Sequence, residues 1–205
     1  MNSQTEKRLI AGPAGMIECA LDAPAHRAAR GLALICHPNP TQGGTMDNKV
    51  VQTLARSLVQ LGYRALRFNF RGIGKSEGCW DEGRGEVDDA LAVLTAWRAE
   101  GEPLVLAGFS FGAYVASRAA LALPELLKAE RLLLVGPATS RFDTAQVPAD
   151  TLVIHGETDD VVPLAAVLDW ARPQSLPITV VPGVGHFFHG QLPLLKNIVI
   201  RNWQA

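Results

Sequence analysis

The run Gly108-Phe109-Ser110-Phe111-Gly112 constrains this chain more than any other segment. It lies between an apolar stretch, residues 104–107, and an alanine-rich stretch, residues 113–123. The pattern predicts a strand, a sharp turn and a helix, with a serine at the apex. Glycines two residues before and two residues after the serine have no Cβ, so the strand can turn into the helix without a clash. The apex residue is pushed outward at the start of a helix, where free N–H groups can meet a developing negative charge. A serine so placed suits a nucleophile. The other reading is a serine that caps a helix.

Around this turn, short apolar runs alternate with amphipathic ones. Residues 31–36, 63–70, 131–135, 151–154 and 178–181 read as strands. Residues 47–61 place Val50, Leu54, Leu58 and Leu61 in one row and Val51, Ala55 and Val59 in the next, a helical stripe stopped by Gly62. Residues 86–99, 164–171 and 191–203 read as further helices. Glu86, Asp88 and Asp89 are expected in the first turn of theirs, where the helix dipole favours acids. Residues 8–11 and 16–21 are expected to pair through the turn from Gly12 to Gly15. The alternation predicts an α/β fold, a mostly parallel sheet with helices on both faces. A chain of 205 residues is expected to form a single domain over 1–205.

A serine needs a general base, and the base needs an orienting acid. The strand at 151–154 leads into His155-Gly-Glu-Thr-Asp159-Asp160-Val-Val-Pro163. The strand at 178–181 leads into Pro182-Gly-Val-Gly-His186-Phe187-Phe188. A carboxylate and an imidazole therefore each stand on a loop just after a strand. The order serine, aspartate, histidine is that of the α/β-hydrolase arrangement, and not of the trypsin-like or subtilisin-like enzymes.

On these motifs the chain resembles the α/β-hydrolases. Ser110 in GFSFG, Asp159 in HGETDDVVP and His186 in GVGHFF look like their triad motifs. The segments His37-Pro-Asn-Pro-Thr-Gln-Gly-Gly44 and Asn69-Phe-Arg-Gly-Ile-Gly-Lys-Ser-Glu-Gly78 are similar to small bacterial hydrolases near the dienelactone-hydrolase and short-esterase branch. The resemblance covers about residues 31–203. It implies the α/β-hydrolase fold, with Ser110 as nucleophile, His186 as base and Asp159 as acid. Spacing from His155 and from Val162-Pro163 sets Asp159 ahead of its competitor Asp160, and His189 is the rival base. Dienelactone hydrolases proper use a cysteine nucleophile where this chain has serine, so a dienelactone substrate is not expected. The family commonly inserts a cap domain where this chain has residues 136–150. Fifteen residues with Pro137 and Pro148 are too few to build one, so an open, lidless site is expected.

A tetrahedral intermediate needs two donors aimed at its oxygen. The Phe111 N–H is one candidate. The second is expected from the loop after residues 31–36. Pro38 and Pro40 have no N–H, which leaves Asn39, the position where the resemblance also expects the oxyanion hole. Phe109, Phe187 and Phe188 are candidates for a substrate pocket, with core packing as the alternative. Arg71 is expected to tie down the 69–78 loop, and His37 and His155 to be structural.

The balance of 19 basic and 20 acidic residues gives a net charge of −1 and favours neither nucleic acid nor a membrane surface as partner. Cys19, Cys36 and Cys79 have no metal spacing and suit a reducing compartment. There is no metal motif and no dinucleotide fingerprint, so no metal and no cofactor are expected. The first residues form no apolar leader segment and no run reaches membrane-spanning length, so a cytoplasmic location is expected. Together these readings predict a serine hydrolase that cleaves carboxylic esters of short acyl chains through an acyl-enzyme. A thioesterase or amidase would use the same machinery. A non-catalytic binding protein on the same fold is the alternative of another class.

Overall fold

The computed structural model describes residues 5–203. Met1–Gln4, part of the stretch read for a leader segment, lie outside the described residues. The strands are β1 (Glu6–Gly12), β2 (Gly15–Asp22), β3 (Leu32–Cys36), β4 (Arg64–Phe68), β5 (Leu104–Phe109), β6 (Arg131–Val135), β7 (Leu152–Gly156) and β8 (Ile178–Val181). The helices are α1 (Lys49–Leu61), α2 (Arg84–Trp97), α3 (Phe111–Ala122), α4 (Leu164–Ala171) and α5 (Leu192–Trp203).

The strands form one sheet in the order β1-β2-β4-β3-β5-β6-β7-β8. The expected β1–β2 hairpin forms, and β2 also joins β4 in antiparallel register, with Cys19 opposite Phe68. From β4 through β8 all pairings are parallel. Leu34 sits between Leu66 and Leu106 in that register. Leu34, Leu66, Leu106 and Leu134 face a core packed under α2, α3 and α4. Ala33, Val105, Leu133 and Ile154 face a second core under α1 and α5. Every residue of β5 is buried, which is why it reads as a continuous apolar run without alternation. Burial also pushes the Cys19 thiol up to about 12 and raises that of Cys36, so both are inert core groups.

Several boundaries differ from expectation for local reasons. α1 begins at Lys49, because the Asn48 carboxamide accepts the Val50 N–H at 2.9 Å. α2 begins at Arg84, two residues earlier than its periodicity suggested. Glu86 reaches back to accept the Gly83 N–H at 2.7 Å and the Asp81 N–H at 3.0 Å, tying the entry to the first turn. Asp89 therefore lies beyond the first turn and does not serve the dipole. It is buried and accepts from Arg71 Nη2 at 2.8 Å, Nε at 3.0 Å and backbone N–H at 3.1 Å. Arg71 thus anchors the 69–78 loop as expected.

Parallel strands deliver the loops after β3, β5, β7 and β8 to one edge of the sheet, the edge where such folds place their sites. Residues 136–150, between β6 and β7, contain no helix or strand, so no lid covers that edge from there. No described helix is long and apolar enough to cross a membrane.

Candidate active site

Ser110 sits between β5 and α3 with φ 56° and ψ −120°, a backbone conformation that strains any residue with a side chain. The flanking glycines make the turn possible. A Cβ on Gly108 would lie 2.1 Å from the Gly112 carbonyl oxygen, and one on Gly112 would lie 2.1 Å from that of Cys36. The turn is pinned to the sheet by the Ser110 N–H, which donates to Val135 at 2.9 Å. The Ser110 side chain makes no capping hydrogen bond to α3. The capping reading of this serine is thereby set aside.

The hydroxyl points instead at an imidazole. Ser110 Oγ donates to His186 Nε2 at 3.0 Å, and His186 Nδ1–H donates to Asp159 Oδ2 at 2.6 Å. His186 stands on the loop after β8 and Asp159 on the loop after β7, 27 residues apart in sequence. The second carboxylate oxygen, Oδ1, accepts the N–H groups of Val161 at 2.9 Å and Val162 at 2.7 Å, which fixes the carboxylate plane. Burial works against the charge on Asp159, but the His186 bond and the Val162 N–H outweigh it and hold the carboxyl below its ordinary range. An ionised Asp159 selects the Nδ1–H tautomer of His186 and leaves Nε2 free to accept. Asp160 points to solvent and His189 is exposed, so neither competitor joins the chain.

The two candidate oxyanion donors stand on the loops after β5 and β3. Phe111 is the first residue of α3, so its N–H has no acceptor within the helix. Its ring is buried against Phe70, Trp80, Tyr114 and Phe142 at 4.9 to 5.7 Å, which holds the backbone in place. Asn39 precedes a short turn in which its carboxamide accepts from the Thr41 N–H at 2.9 Å and hydroxyl at 2.8 Å. The Asn39 backbone N–H donates to no group among the described residues. Gly44 closes this loop onto itself: its N–H donates to Asn39 O at 3.0 Å, and a Cβ there would meet Pro38 O at 2.1 Å.

The aromatic candidates separate. Phe109 and Phe188 are buried in the core under α1 and α5, which favours the core-packing alternative for both. Phe109 backs the His186 ring at 4.9 Å. Phe187 is 44% exposed and lines a cleft of about 400 Å³ together with Gly43, Thr45, Lys49 and His189. Adjacent residues part in this way because Phe188 has φ 51°, which turns the chain between them.

Two further histidines are buried. His37 Nδ1–H donates to Pro38 O at 2.7 Å, and its Nε2 accepts the Phe70 N–H at 3.0 Å. Burial, opposed by the Pro38 bond, lowers its pKa to about 4 and keeps it neutral. His155 Nε2–H donates to Val162 O at 3.0 Å. His37 is held within its loop, as expected, and neither ring is hydrogen-bonded to Ser110.

The family model for serine aminopeptidase S33 matches residues 28–144, more than half of the chain and the stretch that carries the Asn39 loop and the Ser110 turn. The chain belongs to the S33 serine aminopeptidase family of α/β hydrolases. This S33 member is similar along its whole length to an α/β serine hydrolase without lid from Xanthomonas campestris. That structure is 39% identical with a TM-score of 0.88, over 100% of this chain and 95% of the other. A serine hydrolase homologue from Coxiella burnetii is also 39% identical, with a TM-score of 0.84 over 96% of each chain. An uncharacterized protein of Rickettsia prowazekii is 35% identical, over 86% of this chain and 79% of its own.

Proposed function

We propose that the chain is a serine hydrolase that cleaves carboxylic esters of short acyl chains, with residues 1–205 acting as one α/β-hydrolase domain. The observation that carries this reading is the unbroken relay from Ser110 Oγ through His186 to Asp159, at 3.0 Å and 2.6 Å. In this mechanism His186 Nε2 takes the Ser110 proton as Oγ attacks the acyl carbon. The oxyanion accepts from the Asn39 and Phe111 N–H groups. The imidazolium, stabilised by Asp159, then protonates the leaving group, and the acyl-enzyme forms. Water, deprotonated by the same imidazole, releases the acid.

The short-chain reading is supported by residues 136–150, which build no helix or strand to cover the site edge. Each enclosed methylene contributes about 0.8 kcal/mol, and an open edge with few walls encloses few of them. Membership of a family described as aminopeptidases favours a second reading, an amidase using the same residues. The test is a panel of p-nitrophenyl esters of increasing chain length, acyl-thioesters and aminoacyl anilides, all below micelle concentrations. The ester reading expects the highest kcat/KM on esters, with no further rise beyond about two to six acyl carbons. Preference for anilides would select the amidase, and a steady rise to palmitoyl esters would defeat the short-chain assignment.

A further inference from the structure

His155 lies at the end of β7, four residues before Asp159, and is fully buried. Its Nε2–H donates to Val162 O at 3.0 Å. Val162 is the residue whose own N–H donates to Asp159 Oδ1 at 2.7 Å. The turn that presents Asp159 is therefore held at one residue from both sides, by its carbonyl to His155 and by its N–H to the carboxylate. The same Nε2 lies 3.6 Å from Asp159 Oδ2, the oxygen that holds His186. That separation is too long for a hydrogen bond, but it sets the positive end of the N–H dipole beside the carboxylate.

The other ring nitrogen is informative. His155 Nδ1 is buried and has no hydrogen-bond partner. Leaving a buried polar atom unpaired is unfavourable, and an apolar residue of similar volume would avoid it. An imidazole stands here all the same, and its Nε2–H gives the Val162 carbonyl a bond that an apolar side chain could not.

We propose that His155 is a positioning residue for the reaction: as a neutral imidazole carrying its proton on Nε2, it fixes the Val162 carbonyl so that Asp159 Oδ2 is aimed at His186. This rests on the reading of Ser110, His186 and Asp159 as the reacting triad. The groups facing it are Asp159 and His186, and the imidazole must stay uncharged there. A charged His155 would compete with His186 for Oδ2. Burial depresses its pKa and outweighs the opposing pull of Asp159 and of the Val162 carbonyl, while the nearby His186 depresses it further.

The test compares His155→Leu, which removes the donor, with His155→Gln, whose amide N–H reaches about as far as Nε2. On the best ester of the panel, His155→Leu is expected to lower kcat by about 10²-fold, the size of a misplacement near 1 Å, with KM little changed. The acid limb of its kcat/KM profile should move to lower pH, because a misaimed Asp159 stabilises the His186 imidazolium less. His155→Gln should recover most of kcat and return the limb. A purely structural role would lower the unfolding midpoint and leave kcat and the limb of the folded protein in place. That result overturns the proposal. If His155→Leu does not fold, ¹⁵N shifts of the wild-type imidazoles decide. A neutral His155 protonated on Nε2 from pH 5 to 8 supports the proposal, and a charged ring or the Nδ1–H tautomer overturns it. Absence of turnover in the wild type would instead count against the triad reading itself.

Discussion

Replacing Asp159 by asparagine separates charge from geometry at the centre of the site. The carboxamide oxygen can keep both backbone bonds that Oδ1 makes, from Val161 at 2.9 Å and Val162 at 2.7 Å. The amide NH₂ then occupies the place of Oδ2, 2.6 Å from His186 Nδ1. Two donors cannot share that contact, so the imidazole must move its proton to Nε2. Nε2 faces Ser110 Oγ at 3.0 Å and can no longer accept the serine proton. Loss of both the correct tautomer and the stabilising charge is expected to lower kcat by about 10⁴-fold, or about 5.5 kcal/mol of transition-state stabilisation. The unfolding midpoint should change little, because the turn keeps its backbone bonds. Asp160→Asn, on an exposed side chain, should change kcat by no more than about two-fold. Steady-state kinetics on one ester, with urea unfolding of each variant, makes the comparison. Small and equal effects, or a larger loss at Asp160, would refute the assignment of the acid.

Asn39 has φ −51°, within reach of proline, so Asn39→Pro removes the N–H with little change of backbone direction. It is expected to cost about 10² to 10³ in kcat, while Asn39→Ala, which removes only the side chain, should be mild; equal effects would place the second oxyanion donor elsewhere. Arg71→Met leaves the buried Asp89 carboxylate without its guanidinium and should lower stability by about 3 to 5 kcal/mol in urea unfolding, with Asp89→Leu in the double variant recovering most of it. The folded-state pKa of His37, about 4, lies below its ordinary 6.5, so between these values the unfolded chain holds more protons. Stability is therefore full above pH 6.5 and falls as pH drops toward 4, by up to about 3 kcal/mol from this residue. His37→Gln should flatten that slope.

The juxtaposition of Ser110, His186 and Asp159 was legible because each sits in a short motif directly after an apolar strand, and the sheet brings strand ends together whatever the loops do. Between Pro38 and Pro40, elimination leaves Asn39 as the candidate donor of that loop, and its N–H has no acceptor among the described residues. What was not legible depends on partners distant in sequence. Nothing near Asp89 announces Arg71, 18 residues earlier, so a carboxylate near a helix start was read as serving the dipole. Nothing in Phe187-Phe188 tells which ring is buried, because a single positive φ decides it. Phe109 alternates with Phe111 around the serine and both look available, yet one backs the histidine and the other fills the opposite core. The fold was readable from period and punctuation. The start of α2 was not, because Glu86 extends the helix backward through bonds to Gly83 and Asp81.

The most direct measurement of the central claim is covalent labelling by a fluorophosphonate, mapped by peptide mass spectrometry. It needs no knowledge of the natural substrate, because it reads only whether a serine is activated. The account predicts one adduct, on Ser110, absent in Ser110→Ala and slowed by orders of magnitude in His186→Asn. An adduct on a different residue would contradict it, as would a wild-type protein that is folded and resists labelling.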